Sequence, residues 1–324
     1  MINFKAKKHK ILEIIYILLL FVVLLLIILL PQTAIQHFSQ GLLLWATKVL
    51  PALLPFFILT KLLSFTSFTN TIGKVLSPIT QKLYGVGGVS GYIYIMSILS
   101  GYPIGAKLTS DFYHQSKITK GQAQTISAFT STSGPLFIIG TVGIGFFKSQ
   151  KLGIIILISH FISAILNGFL YKQKNKTTIL LHKNTSIQNP LGESMTSSIT
   201  SIMVVGGFIA IFYMLLQTLL QLNILTPITN LFELVGIQKQ VSTSIISGLI
   251  EVTTGTAMLS QCNLSFDIVA IITSFLISFG GLSIHAQAYC FLRNFDMPYA
   301  KFLLQKITHA LISASVTFII LLIF

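Results

Sequence analysis

The chain has 324 residues, of which 53% are hydrophobic and 9% are charged, and its mean hydropathy is +0.84. Soluble domains carry about 25% charged residues, so this chain has too little charge to cover the surface of a water-soluble fold of its length. The net charge of +14 raises nucleic-acid binding as an alternative, but the basic residues lie between apolar runs rather than along one stripe, which argues against it. We therefore predict an all-α integral membrane protein whose lysines mark loops and membrane ends.

The transmembrane segments are predicted from the length of the apolar runs. About 20 helical residues cross the hydrocarbon core of a bilayer. The first run follows four lysines and is too long for a signal peptide, so we predict an uncleaved helix with a cytoplasmic N terminus. About seven full crossings are predicted in all, at residues 11–30, 41–64, 123–147, 152–171, 197–222, 265–291 and 302–323.

Two further apolar stretches, 86–116 and 239–261, are interrupted by Ser-Gly pairs. We predict that both are re-entrant hairpins, which dip into the membrane and return on the same side. Their tips are predicted at Ser100-Gly101 and at Ser247-Gly248. Such non-helical turns survive at membrane depth only inside protein or beside water.

The distribution of basic residues predicts the orientation. The 31–40 segment has no Lys or Arg and is predicted to be an outside loop. The basic loop 172–183 lies inside only if 86–116 is re-entrant. Two amphipathic segments, Phe68–Tyr84 and Pro227–Lys239, precede the hairpins and are predicted to lie at the membrane interface.

The two halves of the chain resemble each other. Phe129 and Phe275 are separated by 146 residues, as are Gly134 and Gly280. Each half has the order helix, interfacial segment, hairpin, broken helix and helix. Because each half crosses the membrane three times, an odd number, the second copy is inverted relative to the first. Inverted repeats with broken helices are the architecture of secondary transporters. Chance similarity between apolar segments is the alternative. We divide the chain into an N-terminal tail with the first helix, a first repeat, a cytoplasmic linker and a second inverted repeat, at residues 1–38, 39–171, 172–196 and 197–324.

The first hairpin tip suits an anionic group. A helix that begins after Pro103 would point free N–H groups and its positive dipole end into the protein, and Lys107 follows one turn later. Close helix packing through Gly101 and Gly105 is the alternative. The candidate substrate-binding residues here are Ser100, Gly101, Tyr102, Pro103 and Lys107.

The first broken helix is predicted at Thr130–Pro135, where hydroxyl residues precede Gly-Pro. Pro135 removes a backbone donor, so carbonyls freed here could coordinate Na⁺ or accept hydrogen bonds from a substrate. Ser and Thr in membrane helices also bond back to their own backbone. The candidates are Thr132, Ser133 and Gly134.

The second half contributes an acid and a histidine. Glu251 lies in the second hairpin at membrane depth, where a carboxylate is a functional candidate. We predict that Glu251 binds the coupling ion. It could instead be a structural partner of Lys107 or His285. The second helix break is predicted at a Gly-Gly pair. The candidate substrate-binding residues of this half are Ser247, Gly248, Gly280, Gly281, Ser283, His285 and Gln287.

No enzyme motif, nucleotide-binding loop or metal-ligand spacing is visible, and Cys262 and Cys290 are interpreted as apolar packing residues. We therefore predict a protein that is not an enzyme and has no cofactor beyond Na⁺ or H⁺ as a coupling ion. The expected partners are a small-molecule substrate and the bilayer of a bacterial cell membrane, not nucleic acid. A homo-oligomer is left open.

These motifs resemble the YlbJ/SpoVV family of sporulation integral membrane proteins, within the wider nucleoside-recognition Gate domain group. The resemblance is carried by the segments 51–57, 100–107, 132–137, 248–251 and 278–287. It implies a fold like that of concentrative nucleoside transporters and a role in moving dipicolinic acid during sporulation. Dipicolinate is a planar dianion, which Lys107, His285 and the half-helix N termini would suit. Thr254 stands where the family usually has Asn, so the resemblance does not extend to the polar contact that this Asn would make.

We predict a secondary transporter of a small polar, anionic metabolite, either dipicolinate-like or nucleoside-like. A membrane scaffold without transport activity, in sporulation or envelope assembly, is the main alternative. An intramembrane enzyme is the third class, disfavoured because no nucleophile and base pair is visible.

Overall fold

A computed structural model describes residues 14, 17–18, 20–173 and 189–323. This part of the chain is all-α, as predicted, and no strand occurs within these ranges. Residues 174–188 contain most of the predicted linker and lie outside the described residues. The end of that linker is helical, because the helix that follows begins at Pro190.

The described residues of the first half, up to 173, form eight α-helices and two π-helical segments. Trp45–Val49 is a π-helical turn between α2 and α3, and Leu136–Phe146 is a π-helix between α7 and α8. The α-helices are α1 (Leu20–Leu29), α2 (Pro31–Leu44), α3 (Leu50–Ser64), α4 (Phe68–Tyr84), α5 (Ser90–Ser100), α6 (Ile104–His114), α7 (Lys120–Thr130) and α8 (Gln150–Leu170).

Between residues 189 and 323, the second half forms seven α-helices and one short 3₁₀ helix, Arg293–Phe295. The α-helices are α9 (Pro190–Gln221), α10 (Thr226–Leu234), α11 (Lys239–Ile250), α12 (Val252–Leu259), α13 (Phe266–Phe279), α14 (Gly281–Leu292) and α15 (Tyr299–Ile323).

Four helical segments of the described chain are long and apolar enough to cross a membrane. They are α8, α9, the joined α13 and α14, and α15. Two bent pairs raise the number to six if each counts as one span: α1 with the helix Pro31–Val49, bent by 109°, and Leu53–Ser64 with α4, bent by 86°. The count of about seven crossings stays a prediction.

Residues 31–40 do not form the predicted loop but are part of α2, while their place on the outer side stays a prediction. Pro31 lies in the first turn of this helix, where its missing N–H and its fixed φ are both accommodated. The predicted amphipathic segments are helical: α4 has the predicted bounds, and α10 covers most of the second segment.

Both predicted hairpins fold back on themselves. In the first, α5 and α6 pack together, with the ring centroids of Tyr92 and Phe112 5.9 Å apart. In the second, Gly255 of α12 packs directly against the backbone of Gly248 in α11. The predicted tip at Ser247-Gly248 is therefore wrong: α11 continues to Ile250, because Gly248 provides close helix packing rather than the turn.

Long helices from the two halves pair in antiparallel fashion. The continuous helical path of α2 and α3 lies along α9, with Gly41 against Ala210 and the Lys61 ammonium 3.9 Å from Glu193. Helices α8 and α15 pair similarly: the Asn167 amide donates to the Gln305 carbonyl at 3.1 Å, and His309 contacts the His160 carbonyl at 3.2 Å. Helices α8 and α15 also pack against α7 and α13, the helices that end at the two breaks.

Candidate functional site

The first hairpin tip packs onto the first helix break. Helix α7 ends at Thr130, and residues 131–134 are not helical, so the predicted break occurs, while Pro135 already begins the helical path that follows. Gly101, at the tip, has φ +79° and lies against Gly134, where a Cβ on Gly101 would come within 2.5 Å of the Gly134 nitrogen. The Thr132 hydroxyl donates to the Ser97 carbonyl at 3.2 Å. Hairpin and break therefore form one junction, which only a glycine at position 101 permits.

The second half contains an equivalent junction. Gly280 ends α13 and Gly281 begins α14, with φ of +89° and +71°, so the predicted Gly-Gly break is confirmed. A Cβ on Gly281 would lie 2.9 Å from the Gly248 carbonyl oxygen and 3.2 Å from that of Ile250. The second hairpin thus packs onto the second break as the first hairpin packs onto the first.

Glu251 forms the turn of the second hairpin. Its carboxylate accepts hydrogen bonds from the N–H of Thr253 at 3.1 Å, from the N–H of Thr254 at 2.6 Å and from the Thr254 hydroxyl at 2.7 Å. The side chain therefore caps the N terminus of α12, where the helix dipole stabilises a negative charge. Its predicted partners, Lys107 and His285, are not among these contacts.

A cavity of about 560 Å³ lies between the two junctions. Its walls come from the path of α2 and α3, from α9 and from the π-helix after the first break. Pockets for small ligands typically have volumes of about 300–1,000 Å³. Seven of the predicted site residues line this central cavity: Ser100, Gly101, Tyr102, Ser133, Gly134, Glu251 and Gln287. The Ser100 hydroxyl is buried and has no partner in the described part of the chain, so it can bond to a ligand.

The other predicted site residues do not line the central cavity. Several belong to the two junctions that support it, and Lys107 lies elsewhere. These residues are Pro103, Lys107, Thr132, Ser247, Gly248, Gly280, Gly281, Ser283 and His285.

Lys107 belongs to an ion-pair cluster. Its ammonium lies 3.2 Å from Asp111, which also pairs with Lys61 at 2.9 Å, and it donates to the Ser197 hydroxyl at 3.0 Å. The cation that lines the cavity is Lys48, in the π-helical turn between α2 and α3. The sequence analysis did not select Lys48, although a lysine within the apolar run 41–64 is a functional candidate by position.

His285 holds the second break. Its Nε2 lies 2.9 Å from the Phe279 carbonyl oxygen, which the end of α13 leaves without a helical donor, and its Nδ1 lies 3.3 Å from the Tyr299 hydroxyl. The nearby Gln287 donates to the Ser283 hydroxyl at 3.2 Å. This geometry gives the histidine a positioning role beside the cavity.

A polar centre links the breaks behind the cavity, and the sequence analysis missed it. His160 Nε2 accepts from the Ser133 N–H at 2.8 Å, and its Nδ1 lies 2.7 Å from the Ser278 hydroxyl. A neutral ring with its proton on Nδ1 satisfies both contacts. His160, Asn167, Lys306 and His309 are buried polar residues of α8 and α15. The rule that intramembrane ionisable residues mark sites would have selected three of them.

Metal coordination finds no support in the described ranges, where no group of three or more His, Cys, Asp or Glu side chains is placed to hold a metal ion. The oxygens around the breaks are backbone carbonyls and hydroxyls, which suit an alkali cation or a hydrogen-bonded substrate.

The chain is 30% identical to the sporulation integral membrane protein YlbJ of Bacillus subtilis (strain 168). The alignment extends over 313 residues and covers 88% of this chain and 76% of that protein. No family model matches the chain, and no solved structure matches it.

Proposed function

We propose a transport function for this chain, which belongs to the YlbJ family of sporulation integral membrane proteins. The proposed activity is secondary transport of a small polar, anionic metabolite across the membrane in which the protein is embedded. The observation that carries the proposal is the central cavity, because residues of both hairpin turns and of the first break line it. Half-helix ends that meet at a midplane cavity are the arrangement by which secondary transporters bind their substrates.

Inverted repeats are part of the proposal. The antiparallel pairing of α2 and α3 with α9, and of α8 with α15, is what a two-fold axis in the membrane plane would produce. The two matching junctions between a hairpin and a break support the same symmetry. We accordingly propose repeats at 39–171 and 197–324, with the N terminus of the chain on the cytoplasmic side.

Charge in the central cavity supports an anionic substrate. Among the residues that the structure describes, Lys48 and Glu251 are the charged ones that line it. Glu251 already accepts three hydrogen bonds at the start of α12, so its charge is stabilised locally, whereas Lys48 is an exposed residue. A carboxylate of the substrate would pair with Lys48, and a ring would contact the apolar walls, as a dipicolinate-like dianion requires.

Uptake into proteoliposomes tests the proposal. Purified protein is reconstituted, and labelled dipicolinate and uridine are offered under an imposed proton or sodium gradient. We expect dipicolinate uptake above that of empty liposomes. The replacement Ser100→Ala, at the hairpin tip, should reduce it, and Ser315→Ala, on an exposed face of α15, should not. Absence of uptake of either compound by folded protein would contradict transport and favour the scaffold alternative.

A further inference from the structure

Lys306 lies at the first junction, one layer behind the central cavity. Its side chain is 1% exposed, although it belongs to α15, far along the chain from the hairpin. The ammonium donates to the Tyr102 hydroxyl and, at 3.0 Å, to the Ser131 carbonyl oxygen. It also lies 4.6 Å from the centroid of the Tyr102 ring, which lines the cavity. One cation therefore connects the hairpin tip, the first break and the wall of the cavity.

The oxygen atoms around this ammonium are of the kind that bind an alkali cation. Helix α7 ends at Thr130, so the Ser131 carbonyl accepts from no helical N–H and is free to bind a cation. Freed carbonyls at broken helices hold the coupling Na⁺ in secondary transporters. Here the lysine ammonium already contacts that oxygen.

No negative charge accompanies Lys306. Within the described ranges, no carboxylate forms an ion pair with it. The titratable groups that surround it are Tyr102 from the hairpin, His160 from α8, His285 from α14 and His309 from its own helix. Burial without a carboxylate disfavours a charged lysine, so the charge at this position rests on the Tyr102 hydroxyl, the Ser131 carbonyl and the face of the Tyr102 ring. With that charge in place, a sodium ion beside the ammonium would meet repulsion that no carboxylate offsets.

We propose that the Lys306 ammonium is a built-in cation that takes the place of a coupling sodium ion at the first break. The ammonium then holds the hairpin tip to the break without Na⁺, so substrate transport does not depend on sodium binding at this junction. The inference deepens the proposed function, since it concerns the driving ion of the transport reaction. Ion binding at this junction can be measured on the protein without a substrate.

Thermal unfolding of the purified full-length protein tests the proposal without any substrate. The melting temperature is compared in sodium chloride and choline chloride of equal concentration. Wild-type protein should show no sodium-specific shift. Lys306→Ala removes the ammonium and leaves the Ser131 carbonyl and the Tyr102 hydroxyl in place. Sodium should therefore raise the melting temperature of this variant, because a ligand that binds only the native state stabilises it.

Two controls make the result specific. Lys301→Ala removes another lysine of α15, which donates to Gln124 at 2.9 Å, and should show no sodium response. Adding Tyr102→Phe to Lys306→Ala removes one oxygen and should weaken the response. If Lys306→Ala does not fold, Lys306→Ser is used and interpreted in the same way. A sodium-specific shift in the wild type, or none in either folded Lys306 variant, would overturn the inference. Failure of uptake alone would count against transport and leave the cation assignment standing.

Discussion

The Nδ1 atom of His160 lies 2.7 Å from the hydroxyl of Ser278, so α8 is bonded to the last turn of α13, two residues before Gly280. The other nitrogen of the ring accepts from the backbone of Ser133 in the first break. One side chain thus connects the first break to the last turn of α13, directly before the second break. Any movement of one break relative to the other has to lengthen or replace one of these two bonds.

We expect His160→Ala to destabilise the protein strongly. The substitution leaves the buried Ser133 N–H without an acceptor, and an unsatisfied buried group costs about 1–3 kcal/mol. The melting temperature of purified protein should fall clearly. Ser315→Ala is the matched control, because that hydroxyl is exposed and bonds only to the carbonyl of Leu311 in its own helix. Equal melting temperatures for the His160 variant and the wild type would contradict the assigned contacts.

Gly101→Ala should also destabilise the fold, for a backbone reason. The φ of +79° at this position disfavours any side chain, and the added Cβ would meet the Gly134 backbone. Residues held in such regions cost about 1–3 kcal/mol each, and displacement of the break adds to this. Gly207→Ala in α9 is the control, since nothing lies within 4 Å of a Cβ there. Its melting temperature should equal or exceed that of the wild type. Thermal unfolding of both variants decides whether the first junction is packed as described.

The ion-pair cluster of Lys61, Lys107 and Asp111 predicts a cost for Asp111→Asn. The substitution leaves two lysines, with side chains 8% and 5% exposed, without their shared carboxylate. Removal of one partner of a buried pair costs about 3–5 kcal/mol, and we expect the lower end because the Asp111 side chain is 25% exposed.

Asp296→Asn is the comparison for this cluster. It removes a pair with Lys120 whose side chains are 51% and 80% exposed, and such exposed pairs contribute about 0–1 kcal/mol. The melting temperature should therefore fall for Asp111→Asn and hardly change for Asp296→Asn. A reversed order would show that the cluster is not buried in the folded protein.

Under the proposed function, Lys48→Gln should weaken binding of an anionic substrate. A hydrogen bond to a charged group contributes about 1.5–3 kcal/mol, and about 1.4 kcal/mol corresponds to a tenfold change in affinity. The KM for dipicolinate uptake should rise about tenfold or more, and Lys48→Arg should retain much of the activity. Lys74→Gln is the control, because Lys74 is an exposed lysine of α4 that does not line the cavity. An unchanged KM for Lys48→Gln would remove this lysine from the site.

The helix breaks could be predicted because their signals are local. Gly134-Pro135 and Gly280-Gly281 each interrupt an apolar run, and both breaks occur where the residues predict them. The predicted tip of the second hairpin is wrong because its signal is also local and does not show what packs against it. A Ser-Gly pair indicates a turn and a close helix contact equally well, and Gly248 forms the contact. Only the partner helix distinguishes the two roles.

The residues of the site were harder to predict. Lys107 and Lys48 are both lysines in apolar surroundings, yet one pairs with Asp111 and the other lines the cavity. The role of each lysine depends on which helix packs against its side of the helical surface. The amphipathic pattern of one helix shows which side is packed, but it does not specify which helix is the neighbour. The contact of Lys306 with the first hairpin tip was not predicted, because no residue near Lys306 in the chain indicates which distant segment it meets.

The sequence by itself determined that this is a helical membrane protein with interrupted segments, because hydropathy and the backbone preferences of Gly and Pro act within a few residues. The tertiary structure decided which buried polar groups meet. Tyr102 and Lys306, or Ser133 and His160, become partners through the antiparallel packing of helices from distant parts of the chain. Buried polar groups must find partners in an apolar medium, so the packing that supplies those partners also decides where a ligand or an ion can bind.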